Sequence, residues 1–130
     1  MKLLLDTQIW LWMTGAPAML SARSRKMLQD GDNQLLLSAA TPWEIAIKVA
    51  VGKLRLPCEV EEFYTTRAAT TRITPLEITA LHAIESARLP LHHRDPFDRV
   101  IIAQARIESV PVMTVDRAFA AYEVETVAGR

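Results

Sequence analysis

Cysteine is almost missing from this chain of 130 residues: Cys58 stands alone. No intrachain disulfide can form, and a reducing compartment is the expected setting. Cys58 itself reads as a small apolar filler. No stretch approaches the roughly 18 apolar residues of a membrane span. One lysine and three leucines precede Asp6, too little for a secretory signal, so a cytoplasmic protein with no membrane partner is expected. Glycine is scarce too, at four residues. Neither a Gly-rich phosphate loop nor a Gly-x-Ser-x-Gly elbow occurs, which removes nucleotide-dependent kinases and α/β-hydrolases. Net charge is absent: fifteen basic and fifteen acidic side chains cancel. No global basic field announces a nucleic-acid binder. That argument weakens if a metal occupies several of the acids, because the remaining surface is then more basic than the sum.

What is present is an ordinary globular composition, 50% hydrophobic and 23% charged, enough for one domain spanning residues 1–130. Residues 2–5 suit a short buried strand closed by Asp6. Asp6 or Thr7 can cap a helix to about Met13, broken by Gly15 and Pro17. A second helix starts at Ser21 and stops near Gly31, and residues 35–38 read as a second buried strand. Thr41-Pro42-Trp43-Glu44 has a helix-start pattern, with a hydroxyl cap, proline at the first position and glutamate three residues after the cap. Gly52 ends that helix. Helices are expected over 59–69 and 77–87, a third strand over 72–74, and a long helix from Asp95-Pro96 to about Glu108. Val112 to Val115 is a fourth strand, residues 117–122 a helical turn, and 123–127 a last edge strand. Strands separated by helices at this spacing imply an α/β fold with a parallel sheet and right-handed crossovers.

Four acids far apart in sequence stand where these elements begin or end. Asp6 closes Leu3-Leu4-Leu5, Glu44 follows Leu35-Leu36-Leu37, Asp98 opens Val100-Ile101-Ile102, and Asp116 follows Val112-Met113-Thr114-Val115. In a parallel sheet the carboxyl ends of the strands share one crevice. Acids gathered there repel one another unless a divalent cation lies between them. Ligands made only of oxygen select magnesium or manganese over zinc. Each acid also has a plainer reading. Asp6 and Asp116 suit a helix cap and a turn, and Glu44 suits a capping-box partner of Thr41. Asp95 and Asp98 share one side of a first helical turn. Asp95 before Pro96 is the natural cap and a candidate outer-shell ligand, leaving Asp98 to face the crevice.

Other residues with chemical potential read as structural. His92 and His93 lack a cysteine or a third histidine at ligand spacing and read as loop histidines, with His82 on a helix face. Arg94 and Arg99 flank the acids and suit charge balance, a phosphate contact or a solvated ion pair. Trp10, Trp12 and Trp43 suit core or interface packing rather than a base-stacking platform. Trp10 to Met13 suit either burial in the core or an apolar docking surface near the crevice.

The order LLLDT, TPWEIAIKVAVGKLRLP, LPLHHRDPFDRVIIAQA and MTVDRAF resembles a PIN domain. More narrowly, it resembles the VapC-type toxins of bacterial toxin–antitoxin pairs. The resemblance spans essentially the whole chain, and its most specific parts are the WEIAIK…GKL…LP and HHRDPFDR…IAQA segments. It implies an α/β/α sandwich around a central parallel sheet of four to five strands. The implied activity is magnesium-dependent endoribonuclease cleavage, with manganese as an alternative ion, at Asp6, Glu44, Asp98 and Asp116. It further implies an RNA substrate, a cognate antitoxin and a homodimer. A phosphatase of the haloacid-dehalogenase or receiver kind also gathers acids at strand ends. It needs a late lysine, and none follows Lys53. A binding module with a structural cation is the non-enzymatic rival.

Overall fold

The computed structural model describes residues 1–130. Five parallel strands form one sheet: β1 (Lys2–Leu5), β2 (Gln34–Ser38), β3 (Thr74–Leu76), β4 (Val112–Thr114) and β5 (Thr126–Ala128). Their order is β3-β2-β1-β4-β5. Between them run α1 (Thr7–Gly15), α2 (Ala22–Gln29), α3 (Ala40–Ala50), α4 (Val60–Thr71), α5 (Ala80–Arg88) and α6 (Pro96–Glu108), with 3-10 turns at Pro17–Met19 and Arg117–Tyr122.

The leucine runs make these strands because both faces of the sheet are covered, so every side chain of β1 after Lys2 is buried. Alternation divides them between two cores. Leu4, Leu36 and Val112 face α6 together with Phe119 and Tyr122 of the second 3-10 turn. Leu3, Leu5, Leu35, Leu37 and Met113 face Ile9, Trp10, Ile45 and Phe63. The register sets Leu4 against both Leu36 and Val112, so the first core is continuous across three strands. The expected α/β/α sandwich is the one observed, with the sheet at the upper end of the expected strand count.

From β1 the chain winds outward through β2 to β3, then returns to lay β4 on the other side of β1. The switch point therefore lies between β1 and β4, which is where a parallel sheet opens its ligand crevice. Asp6 leaves β1 and Asp116 follows β4 at that place, and the main-chain N–H of Asp6 donates to Met113 O at 3.0 Å.

Several boundaries differ from the sequence reading, among them the last strand, which is Thr126–Ala128 rather than 123–127 because Glu123 takes the left-handed conformation that ends the second 3-10 turn. The third strand comprises Thr74–Leu76 rather than 72–74, because Arg72 takes the left-handed conformation (φ 55°) that ends α4. Pro75 then sits within a strand. That is tolerated because β3 is an edge, where a missing N–H leaves no partner unmet. Helix α3 starts at Ala40, so Thr41 is not its cap; instead the Thr41 hydroxyl is buried against that of Thr7 at 2.9 Å. The α5 start moves to Ala80, since Thr79 and His82 form a capping box. As expected, Gly52 closes α3, and its φ of 76° explains why glycine stands there.

Candidate metal centre

Asp6 occupies the position before α1, yet its carboxylate makes no cap bond to that helix. Its Oδ2 accepts the Thr114 hydroxyl at 2.7 Å instead. Burial pushes the Asp6 carboxyl up to about 6, with Glu44 and Asp116 adding to the rise and the Thr114 bond opposing it. Thr114 also accepts the main-chain N–H of Asp116 at 3.0 Å, so one hydroxyl ties the ends of β1 and β4 together.

Glu44 lies on the first turns of α3 and is buried. With Thr41 inside the helix, the capping-box reading of Glu44 falls away. Its Oε2 meets Lys48 Nζ at 2.5 Å, one helical turn on. Its Oε1 is buried without any hydrogen-bond partner. A buried carboxylate oxygen left bare costs on the order of 1–3 kcal/mol or more, and a cation is the partner that would satisfy it.

Asp95 and Asp98 divide their roles at the start of α6 as the spacing suggested. Asp95 Oδ1 accepts the N–H groups of Phe97 at 2.9 Å and Asp98 at 3.3 Å, which makes it the cap. Asp98 is free of that duty and turns inward. Burial first, and then the charges of Asp6, Asp95, Glu44 and Asp116, together push its carboxyl up to about 8. Shared partners link three of the acids: Thr114 bonds both Asp6 and Asp116, and His93 meets both Asp116 and Asp98. Asp116 caps the second 3-10 turn by accepting the Ala118 N–H on Oδ1 at 2.9 Å, while its Oδ2 is turned to another partner.

The residue that sequence reasoning passed over is His93. Its Nε2 lies 2.8 Å from Asp116 Oδ2 and 3.0 Å from Asp98 Oδ2. Candidate ligand atoms of His93, Asp98 and Asp116 all fall within 4.8 Å of one another. The only local signal was its place beside the acid pair. Arg99 was misjudged in the other direction: it neither balances the acids nor faces a phosphate. It is buried, and its guanidinium donates to the carbonyls of Ser86, Leu89, Pro90 and His93 at 2.7–3.0 Å. Among the tryptophans, Trp10 is core and therefore no docking surface. Trp43 is 52% exposed, packed edge-on to Phe97 at 4.8 Å. Trp12 is half-buried on a cleft of about 740 Å³ that Asp116, Arg117 and Thr126 also line.

This donor set fits a divalent cation. The acids outnumber the single lysine, Lys48, that pairs with one of them, the carboxyls of Asp6 and Asp98 are held well above their usual range, and Glu44 Oε1 has no partner. Carboxylate oxygens of this kind suit magnesium or manganese.

The family model described as PIN domain matches residues 3–125. Ribonuclease VapC16 of Mycobacterium tuberculosis is 37% identical over 59 residues, 45% of this chain and 42% of that protein; the matched stretch thus spans under half the length of that relative. Among solved structures, VapBC2 from Rickettsia felis, bound to a DNA fragment from its promoter, superposes with a TM-score of 0.73 at 14% identity, covering all of both chains. FitAcB from Neisseria gonorrhoeae superposes with a TM-score of 0.61 at 23% identity, over 97% of this chain and 96% of that one. These superpositions establish the fold.

Proposed function

This chain belongs to the PIN domain family, and from that premise we propose that it is a metal-dependent endoribonuclease, the toxin of a toxin–antitoxin pair. What supports the reading is that Asp6, Asp98 and Asp116 are linked through Thr114 and His93, that the carboxyls of Asp6 and Asp98 are driven upward with Glu44 adding to both, and that Glu44 Oε1 is bare. Asp6, Glu44 and Asp98 would hold magnesium, or manganese in its place, with Asp116 completing the set and Asp95 in the outer shell. When bound, the cation supplies Lewis-acid polarisation of the phosphodiester and lowers the pKa of the attacking water.

The protein's own residues do the rest. Thr114 holds the Asp6 carboxylate at a fixed angle, and Lys48 occupies one oxygen of Glu44 so that only Oε1 is left without a partner. Asp95 takes the N–H groups of Phe97 and Asp98, which spares the Asp98 carboxylate from capping. Without a cation the crevice repels phosphate; a bound cation offsets much of that charge and gives a phosphate oxygen a positive point to meet.

A free ribonuclease would harm its own cell, so a cognate antitoxin is part of the reading, as is a homodimer. The antitoxin's inhibitory segment would present a cation, arginine by preference, to the carboxylates in competition with metal. Half-buried Trp12, on the cleft beside Asp116, replaces Trp10 as the apolar contact for that segment. No helix is long and apolar enough to cross a membrane.

Cleavage mapping on total RNA, after brief expression of the wild type and of Asp6→Asn, tests the nuclease. Discrete magnesium-dependent cuts that EDTA and Asp6→Asn both abolish are expected. Cuts that persist in purified Asp6→Asn would defeat the site assignment.

A further inference from the structure

Two acids of this centre, Asp98 and Asp116, stand on different elements and repel each other, yet each points an oxygen at one ring nitrogen, that of His93. His93 belongs to a loop, and the loop is held with unusual thoroughness. The Arg99 guanidinium takes four of its flanking carbonyls. The Tyr122 hydroxyl donates to Pro90 O at 2.7 Å and accepts the main-chain N–H of His93 at 2.5 Å. The ring edge rests on Phe119, with centroids 6.1 Å apart and planes at 79°. Finally, the main-chain N–H of Asp95 donates to His93 Nδ1 at 3.1 Å.

That last bond decides the chemistry of the ring. A nitrogen that accepts an N–H carries no proton, so the proton of the imidazole is on Nε2. Nε2 is then a donor aimed between Asp98 Oδ2 and Asp116 Oδ2. It has no lone pair for a metal, and neither nitrogen is free to act as a general base.

We propose that His93 is a positioning residue: locked as its Nε2–H tautomer by Asp95, it clamps Asp98 and Asp116 side by side and so pre-forms the metal centre. The clamp uses Oδ2 of both acids and leaves Asp98 Oδ1 for the cation. The inference rests on reading the acid cluster as a metal centre, and the two can fail separately. Partners that orient ligating groups are typically worth 10–100-fold in metal affinity.

Manganese binding to the full chain, followed by calorimetry and by electron paramagnetic resonance on protein labelled with 15N-histidine, tests the proposal. The expected result is that His93→Ala weakens binding about 10–100-fold, that His93→Gln, which keeps a side-chain N–H near Nε2, recovers much of the loss, and that wild-type protein shows no directly coordinated imidazole nitrogen. Circular dichroism of both variants checks that they fold. Unchanged affinity in His93→Ala overturns the proposal, as does an equal loss in Ala and Gln. An imidazole coupling in the wild-type spectrum overturns it without any substitution, by making His93 a ligand. If wild-type protein binds no manganese, the metal centre itself falls.

Discussion

Replacing Asp98 by asparagine should make the metal-free protein more stable at alkaline pH and leave it unchanged at acid pH. The Asp98 carboxyl is raised from 3.8 to about 8, by burial first and then by Asp6, Asp95, Glu44 and Asp116. Between those two values the folded state holds a proton that the unfolded state has released. Stability therefore falls as pH rises through that window, by about 1.4 kcal/mol per pH unit for a single group. Taken alone, the charge would remove on the order of 5 kcal/mol by pH 8. Neighbouring acids share the burden by taking up protons themselves. Loss of an acid from the first turn of α6 also costs about 0.3–1 kcal/mol through the helix dipole. A net gain of about 1–3 kcal/mol for Asp98→Asn at pH 8 remains, or roughly 4 °C in Tm per kcal/mol for a chain of this length. Thermal melts of both proteins in EDTA at pH 4 and pH 8 measure it, and magnesium should close the gap by stabilising the wild type alone. A variant no more stable than wild type at pH 8, or a difference equal at both pH values, would refute the reasoning.

Asp95→Ser should keep much of the RNA cleavage and most of the stability, since serine also caps, whereas Asp98→Ser should be inactive; the opposite pattern in a cleavage assay would mean the roles are exchanged. Arg99→Met should cost about 3–5 kcal/mol in urea unfolding, because it strands carbonyls now served by a buried cation; a loss under 1 kcal/mol would show that the loop reaches water instead. Co-expression with the small gene adjacent to this one should restore growth and yield a complex that co-purifies. If it does neither, the toxin reading fails while the nuclease reading can survive.

The sequence alone determined the α/β class, the parallel strands and the four candidate acids. Leu3 to Leu5 and Leu35 to Leu37 could be read as doubly buried strands, because burial on both faces demands an unbroken apolar run. Once strands and helices alternate, strand ends must share one edge, so Asp6, Glu44, Asp98 and Asp116 could be grouped without knowing a single distance. The tertiary structure decided what each side chain touches. Thr41, a cap by local pattern, is a buried partner of Thr7, and Thr114 reaches Asp6 across 108 positions. His93 meets Asp116 across 23, and Arg99 turns away from the acids beside it to hold the loop that carries His93. Such pairings depend on sheet register and on the closure of loops between elements. Periodicity and capping are local and leave a trace in neighbouring residues; a contact made by closing the fold leaves none.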